Sequence, residues 1–117
     1  MAATVENITI NQGETFSQQL TTDPVVNLTG GVGTCQIRQK ASSQYPVLAS
    51  PTVTLTATPT DGKVTLALTA AQSLALPVYG DSYLDTTEYV YDVDIVISGV
   101  TTRIFHGTAT VSPTVTR

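Results

Sequence analysis

The sequence predicts an all-β domain, an antiparallel sandwich of about seven strands with one short helix. Three observations carry that reading. Apolar and polar residues alternate over most of the chain, the period of a half-buried strand. Clusters containing Gly, Pro or Asn punctuate most of the joins between alternating runs. Charged residues are only 12% of the chain and Thr is abundant, which suits β-branched side chains on a pleated surface.

The chain has 117 residues, the length of one domain with a real core, so 1–117 is read as a single unit. Its net charge of -4 argues against nucleic-acid binding, which needs a basic footprint. A single Cys excludes an internal disulfide and a Cys-rich metal site. No apolar run approaches the about 18 residues of a membrane span. The N-terminal stretch lacks the basic and apolar regions of a secretory signal, so synthesis in a cytoplasm is expected.

The clearest element is the hairpin from Glu88 to Val111. Tyr89, Tyr91, Val93, Ile95 and Ile97 share one face, and Asp92 and Asp94 share the other. Ser98-Gly99 is the turn, and Phe105, Ala109 and Val111 form the inner face of the return, with Gly107 among them. Upstream, 5–10 and 15–20 read as strands around Asn11-Gln12-Gly13, with Ile8, Ile10, Phe16 and Leu20 inward. Gln18 shares the inner face, which places that strand near an edge. Residues 21–31 form a loop whose Leu28 plugs the core.

The third strand, 32–39, turns Cys35 and Ile37 inward. Residues 41–51 are a polar loop blunted by Pro46 and Pro51. The strand 52–58 points Val53, Leu55 and Ala57 inward, and Pro59-Thr60-Asp61-Gly62 turns it into 63–69, with Val64, Leu66 and Leu68 inward. Thr69 and Gln72 make a capping box, so a helix is expected over 70–76, with Leu74 as the side chain stapled to the sandwich. Pro77 stops it. Residues 77–87 are a loop carrying Tyr79, Tyr83 and Leu84, and 112–117 are an extended C-terminal tail.

Seven such strands, with a helix crossing between the fifth and sixth, have the arithmetic of an immunoglobulin-like sandwich. Tyr89 and Tyr91 early in the sixth strand resemble a tyrosine corner. The Cys pair and core Trp of antibody domains are absent, so the likeness is one of architecture, and a jelly roll or small barrel is the alternative.

No catalytic, cofactor or metal constellation emerges. Cys35 has no cation on its own face, and Arg38 points the other way, so a buried small hydrophobe is expected. His106 has no visible nucleophile partner. Gly30, Gly31 and Gly33 lack the Lys-Ser/Thr and helix of a phosphate loop. Asn7 and Asn27 match the glycosylation pattern, but with no secretory signal neither is expected to carry a glycan. Asp81, Asp85, Glu88, Asp92 and Asp94 are expected to crowd one end as a solvated acidic rim; their spacing fits no Ca²⁺ loop, and no cleft pattern suggests paired glycosidase carboxylates.

The blocks Asn11-Gln12-Gly13-Glu14-Thr15-Phe16, Asn27-Leu28-Thr29-Gly30, Gln36-Ile37-Arg38, Gly62-Lys63-Val64-Thr65-Leu66, Tyr89-Val90-Tyr91-Asp92 with Asp94, and Gly107 through Val115-Thr116-Arg117 run in order over nearly the whole chain. On these the chain resembles a family of small tailed-phage virion proteins, and is similar in plan to the immunoglobulin-like N-terminal domains of phage baseplate upper proteins. One segment departs: 77–87 is longer than the resemblance leads one to expect.

The resemblance implies a non-enzymatic structural part of the virion, a tail, baseplate or fibre adaptor made in the host cytoplasm. Its partners would be other virion proteins and copies of itself, with no nucleic acid, membrane or cofactor. Two alternatives stand beside it, a capsid decoration protein and a carbohydrate-binding module. The second is disfavoured by the absence of Trp and by having only Tyr45, Tyr79 and Tyr83 in loops. The expected assembly contacts are Tyr79, Tyr83 and Leu84 of the long loop and Pro113, Thr114, Val115, Thr116 and Arg117 of the tail. The uncharged strand 52–58 is expected to offer its edge as well.

Overall fold

The computed structural model describes residues 3–42, 44–79, 82 and 84–115. Among them nine strands form two sheets that pack as a sandwich: β1 (Thr4–Val5), β2 (Ile8–Asn11), β3 (Phe16–Thr21), β4 (Val32–Arg38), β5 (Val47–Ala49), β6 (Thr52–Leu55), β7 (Lys63–Leu68), β8 (Thr87–Ile97) and β9 (Val100–Ser112). One helix, α1 (Ala70–Leu74), and one 3-10 turn (Pro59–Asp61) complete the chain. The large sheet runs β1-β9-β8-β4-β5, with β2 also on β9, and the small sheet runs β3-β7-β6. The sandwich with one short helix is thus the predicted fold class.

The β8–β9 hairpin is the frame. Ser98 and Gly99 both adopt positive φ, 50° and 79°, the backbone of a tight hairpin turn whose twist suits antiparallel strands. The pairing holds from Ile97↔Val100 to Thr87↔Val111 with one irregularity, where Val93 faces Phe105 but Asp94 faces Arg103. Ile104 is the extra residue of a bulge, so Ile104 and Phe105 are both buried. The core between the sheets is built from Ile10, Leu20, Ile37, Leu66, Tyr89 and Phe105, among others. Cys35 lies in it at 1% exposure, and Leu28 plugs it from the loop, both as expected.

Five expectations need correction. The first strand is split at Glu6–Asn7 and pairs with β9 in parallel, not as an antiparallel neighbour. The Glu6 carbonyl and the Asn7 side chain occupy the space that a Cβ on Gly107 would fill, so the chain kinks there. Within 41–51, Val47–Ala49 forms β5 on the edge of the large sheet. The strand after Pro51 ends at Leu55, because Thr56 turns its hydroxyl onto Thr58 and Asp61; Ala57 is exposed rather than inward. The helix stops at Leu74, with its capping box intact. Finally, Leu74 is exposed and is not the staple; Ser73 and Leu76 are the residues this segment buries.

The helix carries the chain from β7 in the small sheet to β8 in the large one, as a crossover requires. Gln18 is half-buried on β3, which is an edge strand.

Candidate functional site

Strand directions sort the connections to two ends. The β2–β3 turn, α1, the described residues of the 39–46 and 77–86 loops and residues 113–115 after β9 lie at one end, the tail end. The 22–31 loop, the 3-10 turn and the Ser98-Gly99 turn lie at the other, the hairpin end. The described residues of the long loop and of the tail, both expected to make assembly contacts, therefore share one pole.

A buried amide organises that pole. Gln12, 4% exposed, donates from Nε2 to the Leu76 carbonyl at 2.8 Å and accepts at Oε1 from the Thr114 N–H at 3.2 Å. Its own N–H donates to the Ser112 carbonyl. The buried Ser73 hydroxyl accepts from the Gly13 N–H at 3.0 Å and donates to the Glu14 carbonyl at 2.7 Å. Turn, helix and tail are thereby tied together. Neither Gln12 nor Ser73 stands out in the sequence, because a turn Gln and a helical Ser are ordinary surface residues.

Around this polar hub several apolar side chains are exposed. Leu74, Tyr79, Leu84 and Val115 are 40%, 63%, 72% and 84% exposed, and all belong to this pole. The Tyr79 N–H donates to the Thr87 hydroxyl at 2.9 Å, and the Tyr89 hydroxyl donates to the Pro77 carbonyl, anchoring the start of the long loop. Pro113 and Thr114 are half-buried. Tyr83, Thr116 and Arg117 lie outside the described residues.

Exposed apolar side chains recur at the hairpin end: Val25, Val32, Val96 and Val100. Among the described large apolar side chains that are exposed, Val5 and Val47 sit at neither pole. The molecule measures 45 × 30 × 21 Å, and β9 at about 3.3 Å per residue runs nearly its full length. The two apolar poles are therefore far apart.

A second feature lies on the outer face of the large sheet. Outward side chains form rows across β4, β8 and β9: Thr34–Asp94–Arg103, then Gln36–Asp92–His106, then Arg38–Val90–Thr108. All of these but Thr34, together with Ala41 and Ser42 from the 39–46 loop, line a depression of about 540 Å³. The Arg38 guanidinium donates to the Tyr45 carbonyl and to Gln36 Oε1, and Lys40 stacks over the Tyr45 ring, which holds the loop up as a wall. Arg103 Nε lies 3.4 Å from Asp92. Burial, and the neighbouring Asp92, push the Asp94 carboxyl above the usual range against the opposing pull of Arg103.

The acidic residues do not crowd one end. Asp92 and Asp94 run down β8 toward the hairpin end, away from Asp85 and Glu88, and Asp81 lies outside the described residues. Among the described residues no group of three His, Cys, Asp or Glu side chains could hold a metal ion. The Cys35 thiol is pushed up to about 12, chiefly by burial and then by Asp92 and Asp94, so it is a protonated core group at neutral pH. His106 is exposed on β9, opposite Asp92. No helix among the described residues is long and apolar enough to cross a membrane.

No known family matches this chain, and no curated protein matches it.

Proposed function

We propose that the chain is a structural joining piece of a tailed-phage virion, a tail, baseplate or fibre adaptor that works through protein–protein contacts rather than covalent chemistry. The observation that carries this reading is the segregation of exposed apolar side chains to two opposite poles. Contiguous exposed apolar surface on a small domain marks interaction sites. An adaptor needs two such surfaces, one for each neighbour, held at a fixed separation by a rigid body.

Two further features support it. The edges of the small sheet, β3 and β6, carry no charged residue, whereas an isolated domain usually guards its edges with charge. Such edges can take a neighbour's strand by main-chain hydrogen bonding. The resemblance noted above points to the same class of particle. Repetition around a ring would then turn modest contacts into firm ones.

The test begins with mass spectrometry of separated tails and heads from the phage that encodes the chain. Detection in tails is expected. Detection in heads alone would assign it to capsid decoration, and absence from both would end the reading. The triple variant Leu74→Ser, Tyr79→Ser, Val115→Ser should keep the wild-type melting temperature and lose incorporation. Normal incorporation would show that the tail pole is not a contact surface.

A further inference from the structure

Independently of the poles, we propose that the depression on the outer face of the large sheet binds a neutral saccharide, one or two sugar units of a larger glycan, through Asp94, Arg103, His106 and Gln36. The outer face of a sheet is ordinarily a flat, solvated surface. Here the 39–46 loop, pinned by Arg38, walls one side and leaves about 540 Å³, within the range of small-ligand sites.

The lining offers unused groups of both kinds. Asp94 makes no hydrogen bond to a described residue, so its carboxylate is a free acceptor. Arg103 meets Asp92 through Nε, leaving its terminal nitrogens as donors. Gln36 accepts from Arg38 through Oε1, which leaves its amide nitrogen to donate. The His106 imidazole supplies a further ring nitrogen one row away. Arg38 and Arg103 offset Asp92 and Asp94, so the Arg and Asp charges of the site cancel.

That balance selects the ligand class. A phosphate would meet two carboxylates, and a cation would meet two guanidiniums. A sugar hydroxyl both donates and accepts, so adjacent hydroxyls can donate to Asp94 while accepting from Arg103 and His106. Val90 on the floor gives a small apolar patch for the C–H face of a ring. Tyr91, the aromatic residue of the lining, turns its side chain into the core and offers no stacking platform, so the expected affinity is millimolar, with avidity left to multiple copies.

The experiment is amide NMR of the labelled domain titrated with the methyl glycosides of glucose, galactose, mannose, rhamnose and N-acetylglucosamine, and with lactose and maltose, each to about 50 mM, which covers a millimolar Kd. At least one glycoside should shift amides within 34–36, 90–94 and 103–108. Asp94→Asn should keep the fold and bind about tenfold more weakly, the cost of one charge-assisted hydrogen bond. Glu88→Gln, an exposed carboxylate on the same strand outside the depression, should bind as wild type. Silence across the whole panel would overturn the proposal, as would unchanged binding by Asp94→Asn. Shifts produced by a hexalysine peptide with every glycoside silent would overturn it in favour of a basic protein segment.

Discussion

The Tyr91 hydroxyl donates to the Glu6 carbonyl oxygen at 2.6 Å, joining two residues 85 positions apart. The bond crosses beneath Gly107, whose missing side chain lets the Glu6 backbone come close. It fastens the kink between β1 and β2 to the frame of the large sheet. Two predictions follow from this one contact.

Tyr91→Phe should destabilise the domain by about 1–2 kcal/mol, the cost of leaving a half-buried carbonyl without its donor. Tyr91→Ala should cost about 3–5 kcal/mol, because it also empties a large core site. Asp94→Ala, on the outer face, should cost well under 1 kcal/mol, like other surface changes. Urea midpoints order the three; equal shifts for Tyr91→Ala and Asp94→Ala would show that the faces are misassigned.

Gly107→Ala should force the Glu6 carbonyl away, because a Cβ there meets backbone that cannot simply rotate aside. The expected loss is about 1–3 kcal/mol, as for overpacking. Hydrogen exchange should localise it. The Glu6 N–H, which donates to the His106 carbonyl at 2.9 Å, should exchange faster, while β7 in the other sheet should not change.

Cys35 gives a pH dependence. Its folded pKa is raised to about 12, above the ordinary 9.0. The unfolded thiol therefore ionises first and binds fewer protons than the folded one. Its contribution is complete below pH 9 and is lost between 9 and about 12, at a limiting slope of about 1.4 kcal/mol per pH unit. The Tyr91 phenol is raised by burial first, and acts in the same direction at higher pH. Cys35→Ala should flatten the alkaline limb of a stability–pH curve. A limb of unchanged steepness would assign the loss to other groups. In the folded protein at pH 8, a disulfide reagent should not label the thiol until denaturant is added.

Gln12→Ala should free the tail pole. It removes the acceptor for the Thr114 N–H and the donor for the Leu76 carbonyl. A cost of about 1–3 kcal/mol is expected, as for groups left unsatisfied in a buried network. Limited proteolysis should then cut the chain after Ser112 faster than in wild type, while global melting remains cooperative. An unchanged cleavage rate would show that the amide does not hold the tail.

How far the fold was legible follows from the range of each signal. Alternation marks local faces, so Ile8 and Ile10, Phe16 and Leu20, and the whole of β8 were readable one strand at a time. Val47-Leu48-Ala49 was not, because three apolar residues between prolines show no period. The split at Glu6–Asn7 depends on Gly107, a hundred residues away, which no local pattern reveals. The adjacent Ile104 and Phe105 did break the alternation, and that doublet was the one visible sign of the bulge. A five-residue helix is too short to show which side faces inward, so Leu74 was expected inside where Leu76 is the leucine buried. At the site, the outward direction of Asp92 and Asp94 was readable. Their registration opposite Arg103 and His106 was not, since it is set by where the bulge falls.

The parallel pairing of β1 and β2 with β9 also has a mechanical consequence. A force drawing Thr4 and Ser112 apart runs along both strands in opposite senses, so the rows from Thr4↔Phe105 to Asn11↔Ser112 bear load together in shear. A force between Thr87 and Ser112 instead opens the β8–β9 ladder from its end, one row at a time. In a single-molecule trap the first geometry should rupture at the higher force. A domain strained between its first and last strands would thus yield late, and nearly all at once.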